Sequence, residues 1–292
     1  MKAAAVLLAA CLASAGYAAE PVRIVIPSQD GKLQIPGYWF DAPSTEPRPA
    51  VIGLHGCGGA FDSRGSLTPG WYRDSRYLNA QQMHLVVLDS FTPRGHKSIC
   101  EIPNSRRTVN EEDRRDDVFA AMHWLAQDPR VDKLRIAILG RSHGGQTVLS
   151  VLDRTAAAAN SQPIQPRAAI ALYPGCSKFL RMMRYQLSAP LLLMIGELDD
   201  WTPAARCVDL KEKVMRAQGD AKFDLVVFPG SYHGFDGMAP VRVRDNLGNT
   251  KSGKATVGGN PEAREQAQVR TLEFLSRTLD VPLQPLGTRP IR

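Results

Sequence analysis

The sequence predicts an α/β fold in which a mostly parallel central sheet is flanked by helices on both faces. Short apolar runs that are typical of buried strands alternate along the chain with stretches of helical period. The length of 292 residues suits one large domain, and no linker divides the chain after an N-terminal leader. We therefore expect a signal peptide over 1–19 and a single domain over 20–292.

The elements are predicted in order from these patterns. Two long segments lack a regular period, and we expect 90–110 to be a substrate-shaping loop and 237–260 to be a mobile excursion. Strands are predicted at 22–27, 37–41, 50–54, 84–89, 134–139, 168–174, 191–196 and 223–228, and helices around 77–80, at 111–127, from 146 onward, at 204–218 and at 262–279.

The leader has the pattern of a secretory signal peptide. Lys2 is its charged start, Ala3–Ala10 is apolar, and small residues around Ala18 offer a cleavage site. We expect an exported protein, periplasmic or secreted, with no stable membrane insertion after signal removal. A lipid anchor on Cys11 is the alternative, which the short preceding segment disfavours.

Export changes how the cysteines are interpreted. Without Cys11, an even number remains, which in an exported protein predicts disulfides, with free buried thiols as the alternative. No cluster has the spacing of metal ligands, so we expect no metal and no organic cofactor. Each pair that we favour joins loops that follow neighbouring strands. These pairs are Cys57 with Cys100 and Cys176 with Cys207.

The net charge of +7 is scattered along the chain. No basic stripe is interleaved with aromatic residues, so the sequence does not predict nucleic-acid binding, and a solvated basic surface is the expected reading. The expected partner is a small-molecule ester, and nothing in the sequence specifies an oligomeric state.

Ser142 lies in the pattern Gly-x-Ser-x-Gly between a predicted strand and a predicted helix. Strand, tight turn and helix together form the nucleophile elbow of α/β-hydrolases. Gly140 and Gly144 fit because the flanking positions of such a turn must lack bulk. The N-terminus of the following helix suits a developing oxyanion. An ordinary glycine-rich turn is the alternative.

An acid and a base follow later strands in the order that this fold uses. Asp199 comes after the next-to-last predicted strand and His233 after the last, at the sheet edge where functional groups gather. The weak Ser142 nucleophile needs an adjacent base, which His233 supplies, while Asp199 orients that base. Asp200 and Glu197 are alternative acids.

Backbone donors and substrate contacts complete the predicted site. The loop after an early strand supplies an oxyanion donor in this fold, so we assign the amides of Cys57 and His143, with Gly58 as the alternative to Cys57. Salt bridges and core packing are the competing roles for the remaining candidates. These are Arg94 and Arg141 for a substrate carboxylate, and Trp201 and Tyr173 for the acyl pocket.

From about Pro49 to Leu279 the chain resembles the dienelactone hydrolase family of α/β-hydrolases. In the family pattern the acid lies four residues before a proline, here Pro203, which favours Asp199. The founding enzymes use a cysteine nucleophile and are cytosolic, so Ser142 and the leader depart from them. The matching motifs are His55-Gly56-Cys57-Gly58-Gly59, Gly140-Arg141-Ser142-His143-Gly144-Gly145, Gly196-Glu197-Leu198-Asp199 and His233-Gly234-Phe235.

Together these observations predict an exported serine hydrolase that cleaves a carboxylic ester through an acyl-enzyme. The serine members that the chain resembles look like general carboxylic-ester hydrolases. Two alternatives stay open at this point. One is a peptidase or amidase of the same fold, and the other is a non-catalytic envelope binding protein.

Overall fold

The computed structural model describes residues 20–285, so the predicted signal peptide and Cys11 lie outside the described residues. The described chain forms an eight-stranded sheet and a separate two-stranded sheet. The strands of the large sheet are β1 (Val22–Pro27), β2 (Gln34–Phe40), β3 (Arg48–Leu54), β4 (His84–Leu88), β5 (Val131–Arg141), β6 (Ala168–Leu172), β7 (Leu191–Gly196) and β8 (Phe223–Phe228).

The large sheet has the order β1-β2-β4-β3-β5-β6-β7-β8. β1 pairs antiparallel with β2, and β2 pairs antiparallel with β4. The pairs from β4 through β3 to β8 are parallel, so the predicted mostly parallel sheet is confirmed. Every residue of β4, β6 and β7 is buried, as expected for parallel strands that are covered on both faces.

Helices cover both faces of the sheet. They are α1 (Pro69–Ala80), α2 (Glu111–Leu125), α3 (His143–Val151), α4 (Ala157–Asn160), α5 (Ser177–Arg181), α6 (Ala204–Ala217) and α7 (Pro261–Leu279). Because β4 and β5 lie on opposite sides of β3, right-handed crossovers place α1 and α2 on opposite faces. α3 packs against α2, and α7 lines a small cavity together with α1. Within residues 20–285, no helix combines the length and the apolar character that a bilayer span requires.

Helix α2 begins where the sequence predicts it. The Asn110 side chain accepts backbone N–H bonds from the first turn, and the Asp113 carboxylate accepts the Asn110 N–H in return, which forms a capping box. The pattern indicates charges on a solvated face, but Arg114 and Asp117 are 0% and 2% exposed. The loops above the sheet cover this face of the helix, which local periodicity does not reveal.

The segment 237–260 is folded onto the domain rather than extended from it. It contains two short antiparallel strands, β9 (Arg242–Arg244) and β10 (Ala255–Val257). β10 forms a bridge with His233, and Leu247 is buried in a small hydrophobic cluster above the sheet. The expectation of a mobile excursion is therefore wrong. Strands of three residues are too short to show a period in the sequence, and their anchors lie far away along the chain.

Candidate active site

Ser142 occupies the turn between β5 and α3. Its backbone has φ 54° and ψ −114°, a positive-φ conformation that a non-glycine residue adopts only where its surroundings hold it. A Cβ at Gly140 would lie 2.1 Å from the carbonyl oxygen of Gly144, and one at Gly144 would lie 2.2 Å from that of Leu54. The turn therefore has the tight geometry of a nucleophile elbow.

Three side chains from three loops form one hydrogen-bonded chain. Oγ of Ser142 lies 2.9 Å from Nε2 of His233, and Nδ1 of His233 lies 2.8 Å from Oδ2 of Asp199. The side chains of His233 and Asp199 are only 5% and 0% exposed. In this arrangement the imidazole can accept the hydroxyl proton while the carboxylate fixes its orientation.

A tight turn after β7 holds Asp199. Its Oδ1 accepts the backbone N–H groups of Trp201 at 3.0 Å and Thr202 at 2.7 Å. Its Oδ2 lies 2.9 Å from the Thr202 hydroxyl, which is also 3.1 Å from Nδ1 of His233. The carboxylate is therefore fixed by its own turn before it meets the imidazole.

The two alternative acids are engaged elsewhere. Asp200 accepts hydrogen bonds from the backbone and the hydroxyl of Thr256. Glu197 accepts the backbone N–H of Gly230 at 3.0 Å. Of the three carboxylates that the sequence offers, Asp199 is the one beside the imidazole.

The loop after β3 lies against the elbow. A Cβ at Gly56 would lie 3.4 Å from Cβ of Ser142, so this backbone passes directly beside the serine. Within residues 20–285, the backbone N–H groups of Cys57 and His143 have no hydrogen-bond acceptor. The N–H of Gly58 is free as well, so it stays the alternative donor. Free backbone donors beside a nucleophile are what a tetrahedral oxyanion requires.

The structure contains both disulfides that the sequence favours. Cys57–Cys100 ties the loop after β3 to the 90–110 loop, where the Ile99 N–H also donates to the Cys57 carbonyl at 2.8 Å. The second bond joins the start of α5 to α6. Two disulfides are consistent with an oxidising, exported location. The second pair is Cys176–Cys207.

Behind the elbow, the fully buried guanidinium of Arg114 lies between two histidines. One terminal nitrogen is 2.8 Å from Nδ1 of His143, and the other donates to the backbone carbonyl of His55 at 2.8 Å. The guanidinium carbon stands 5.0 Å from the centre of the Phe91 ring. The side chain thus bridges the two loops that carry the candidate oxyanion donors.

The charge of Arg114 has no carboxylate partner in the described part of the chain. Asp117, on the same helix, pairs instead with Arg94. Burial lowers the pKa of Arg114 to about 9, so the guanidinium is still charged at neutral pH. Burial, and then the charge of Arg114, lowers the pKa values of His143 and His55 well below the usual range, so both rings are neutral.

Arg94 does not face the site. Its two terminal nitrogens each lie 2.8 Å from the carboxylate of Asp117, and one of them also donates to the Ser90 carbonyl. Because both terminal nitrogens of this fork already bind a buried carboxylate, they cannot also bind a substrate carboxylate in the bidentate manner. The prediction that Arg94 binds a substrate carboxylate is wrong, and the ion-pair alternative is correct.

Tyr173 lies beneath the imidazole of His233. It is 5% exposed, its ring centre is 4.7 Å from that of His233, and its hydroxyl donates to Asp236 at 2.7 Å. Asp236 also pairs with Arg141, which in turn pairs with Asp74. Tyr173 and Arg141 therefore belong to a buried network that links the elbow to the histidine loop, and neither lines the cleft beside His143, which favours the packing and salt-bridge alternatives.

A cleft of about 410 Å³ opens beside His143. Trp201 lines it, with its ring centre 4.7 Å from that of His233 and its indole N–H donating to Asn249 at 2.9 Å. Its position between base and cleft suits the substrate contact predicted for it. The charged side chains that line the cleft are Arg107, Glu111, Glu112, Lys178, Arg181 and Arg206.

Sequence reasoning missed two supporting residues, Thr202 and Arg114. Thr202 follows Asp199 by three positions, a spacing that in a polar loop allows an Asp side chain to accept from the backbone ahead of it. That spacing could have drawn attention to Thr202. Arg114 sits among other charged residues of α2, and nothing in the local sequence distinguishes it from them.

The sheet order, the elbow and the order serine, acid, histidine define an α/β-hydrolase. Residues 90–279 match the model of the dienelactone hydrolase family. The chain belongs to this family, and it is a hydrolase that acts on ester bonds. No curated protein matches the chain in sequence.

Solved structures share the fold at low sequence identity. A protein from Klebsiella pneumoniae subsp. pneumoniae MGH 78578, described as a dienelactone hydrolase, is 18% identical, with 88% of this chain and 98% of that chain covered at a TM-score of 0.60. Thermogutta terrifontis esterase 2, phosphorylated by paraoxon, is 19% identical, with 91% and 98% covered at 0.61. A dienelactone hydrolase-like promiscuous phosphotriesterase from metagenomic libraries is 16% identical, with 89% and 99% covered at 0.62.

Proposed function

We propose that the protein is an exported serine hydrolase that cleaves a small-molecule carboxylic ester through an acyl-enzyme. The observation that carries this proposal is the continuous hydrogen-bonded chain from Ser142 through His233 to Asp199 at a strand-to-helix elbow. A serine hydroxyl is a weak nucleophile, and this chain supplies the base that activates it.

In the first half of the reaction, Oγ of Ser142 attacks the ester carbonyl carbon while Nε2 of His233 takes the hydroxyl proton. Asp199 keeps the other imidazole nitrogen protonated and stabilises the imidazolium that forms. The carbonyl oxygen becomes an oxyanion, which accepts the backbone N–H groups of Cys57 and His143.

The intermediate then collapses as the bond between the carbonyl carbon and the alcohol oxygen breaks. His233 returns its proton to the leaving alcohol, and the acyl group stays on Oγ of Ser142. A water molecule repeats the sequence, with His233 taking its proton, and releases the carboxylic acid and the free serine.

We propose that residues 1–19 direct export and are removed, which leaves one domain over 20–292. The two disulfides support this location, because such bonds persist in oxidising compartments. The phosphorylation of the Thermogutta esterase by paraoxon also suggests an organophosphate as the reagent for testing the nucleophile.

The test is intact-mass measurement after exposure to paraoxon, with the wild type, Ser142→Ala and Ser177→Ala compared. Ser177 lines the cleft beside His143 but has no hydrogen bond to His233 within residues 20–285, so it is a matched control. We expect the wild type and Ser177→Ala to gain one diethylphosphoryl group and Ser142→Ala to gain none.

Hydrolysis of p-nitrophenyl butyrate by the same variants then tests the reaction class. We expect Ser142→Ala to lose kcat by about 10⁴-fold or more, since removing one member of such a unit removes most of its effect. An unmodified wild type that also leaves the ester intact would contradict the proposal and favour a non-catalytic binding protein.

A further inference from the structure

The two histidines beside Arg114 are held in opposite tautomers, and Arg114 itself sets that of His143. Nδ1 of His55 lies 2.8 Å from the Gly56 carbonyl, which can only accept, so this ring carries its proton on Nδ1. Nδ1 of His143 lies 2.8 Å from Arg114, which can only donate, so this nitrogen is the acceptor. The neutral His143 ring therefore carries its proton on Nε2.

Burial and the nearby cations keep the His143 ring neutral. The cations are Arg114 on α2, Arg107 on the loop before α2 and Lys178 on α5, and neutral His55 lies on the loop after β3. Glu111 and Glu112 of α2 line the same cleft but pair with Lys178. Burial comes first, and these cations add to it, in lowering the pKa of His143 well below its usual value. The ring is thus a fixed donor at Nε2 across the neutral range.

The two Nε2 atoms differ in their access to the cleft. Nε2 of His55 is sealed in the protein without a partner. Nε2 of His143 also has no partner within residues 20–285, but it keeps a small accessible area. His143 is only 2% exposed, and it lines the 410 Å³ cleft beside the elbow. A donor that is held in one tautomer, without a protein partner and at the wall of the cleft, is placed to meet a substrate that fills it.

We propose that the His143 side chain is a substrate-binding residue whose Nε2–H donates to an oxygen of the ester other than the scissile carbonyl oxygen, and that Arg114 is the positioning residue that fixes this tautomer. The inference rests on the proposed function. It names the substrate class as esters that carry a further acceptor, such as an ether, hydroxyl or carbonyl oxygen, close to the scissile bond.

In this proposal His143 offers the substrate two hydrogen-bond donors. The backbone N–H of His143 is a candidate oxyanion donor, while its ring offers a second donor a few bonds away. An acceptor near the scissile carbonyl could thus be bound by the same residue, and binding there would orient the carbonyl toward Ser142.

Matched substrates test the ring donor. p-Nitrophenyl methoxyacetate and butyrate differ by one ether oxygen on the acyl side, and 2-methoxyethyl acetate and butyl acetate differ in the same way on the alcohol side. We expect His143→Phe to lower the oxygenated-to-apolar ratio of kcat/KM about tenfold in at least one pair, as loss of one hydrogen bond implies. His143→Gln, which keeps a side-chain N–H, should restore part of that ratio.

His123→Phe is the control, since His123 is exposed on α2 and should leave both ratios at the wild-type value. Ratios unchanged by His143→Phe in both pairs, with the wild type active on all four esters, would overturn the role of His143 without touching the proposed function. A wild type that hydrolyses none of the four and gains no phosphoryl group would instead remove the proposed function.

The tautomer is tested separately by ¹⁵N NMR of the histidine rings in the wild-type protein. We expect His143 to stay neutral with its proton on Nε2 from pH 5 to 8, and Arg114→Met to let the ring titrate or change tautomer. Arg114→Lys, which keeps a cationic donor, should retain the wild-type spectrum in part. A proton on Nδ1, or a protonated ring, in the wild type at neutral pH would overturn the inference without any variant.

Discussion

The two sides of Ser142 are built from opposite charges. On the side of His233, the carboxylate of Asp199 lies against the imidazole, and Asp236, whose charge is paired with Arg141, accepts from Tyr173 beneath it. On the side of the free backbone N–H groups of Cys57 and His143, the buried guanidinium of Arg114 contacts the His143 ring and has no carboxylate partner in the described part of the chain. In the proposed reaction, the charge that develops on each side is opposite in sign to the buried charge nearby: Asp199 for the imidazole and Arg114 for the oxyanion.

The difference follows from what develops during attack on an ester. Positive charge forms on the imidazole, where Asp199 stabilises it, and negative charge forms on the carbonyl oxygen, near the field of Arg114. The sides also differ in construction. The acid is held by hydrogen bonds within its own turn, whereas the amide side depends on a disulfide and on a cation that bridges two loops.

The largest effect is expected from Asp199→Asn. The amide cannot hold the imidazole with its Nδ1 proton in the productive orientation, so we expect kcat on p-nitrophenyl butyrate to fall about 10⁴-fold. Asp200→Asn is the matched control, because that carboxylate is exposed and bonds Thr256. Equal losses in the two variants would mean that the neighbouring carboxylates share the role, which the geometry does not indicate.

The next effect is on stability, from Asp236→Asn. The change leaves the buried cation of Arg141 without one of its partners, and removal of one member of a buried pair costs about 3–5 kcal/mol. We expect a loss of this size in the free energy of urea unfolding at pH 7. Asp224→Asn, which breaks an exposed pair with Arg277, should change it by no more than about 0.5 kcal/mol.

The same variant should change the acid sensitivity of the fold. Burial alone would raise the pKa of Asp236, but the charges of Arg141 and Arg73 outweigh it and hold that pKa below its usual value. The contribution is therefore fully present above the unfolded pKa of about 3.9 and is lost as the pH falls through the lower folded value. We expect the gap in unfolding free energy between wild type and variant to shrink below about pH 4, and a gap that is constant from pH 7 to 3 would contradict this assignment.

Removal of each disulfide should show which of the two bonds supports catalysis. Each loss should lower the unfolding free energy by about 2–4 kcal/mol, but only Cys57→Ala with Cys100→Ala should also lower kcat, by about tenfold, because it loosens a candidate oxyanion donor. The comparison variant is Cys176→Ala with Cys207→Ala. Melting curves and kcat report the two effects, and an equal fall in kcat in both double variants would show that the first bond has no special role at the amides.

The sequence and the structure agree where local rules decide the outcome. The elbow follows from two glycines with no room for a Cβ, and the acid and base follow from strands whose apolar runs are unmistakable. The roles of Arg94 and Arg114 could not be predicted from such local rules. Both follow from long-range packing, in which α2 is covered by loops and Asp117 pairs with one arginine and not with the other. The docking of 237–260 likewise depends on a hydrophobic cluster shared by distant segments.

The smallest effect is expected from Thr202→Val. The variant loses the hydroxyl beside Asp199 and His233 but keeps the backbone N–H that donates to Oδ1 at 2.7 Å. A single hydrogen bond contributes about 0.5–1.5 kcal/mol, so kcat should fall only about 2- to 10-fold, and Thr202→Ser should recover it. Since the turn itself holds the carboxylate, a loss near that of Asp199→Asn would mean that the hydroxyl, and not the backbone, fixes the acid. The Asp199 turn would then not hold the acid by its own backbone, and the difference in construction between the two sides of Ser142 would not hold.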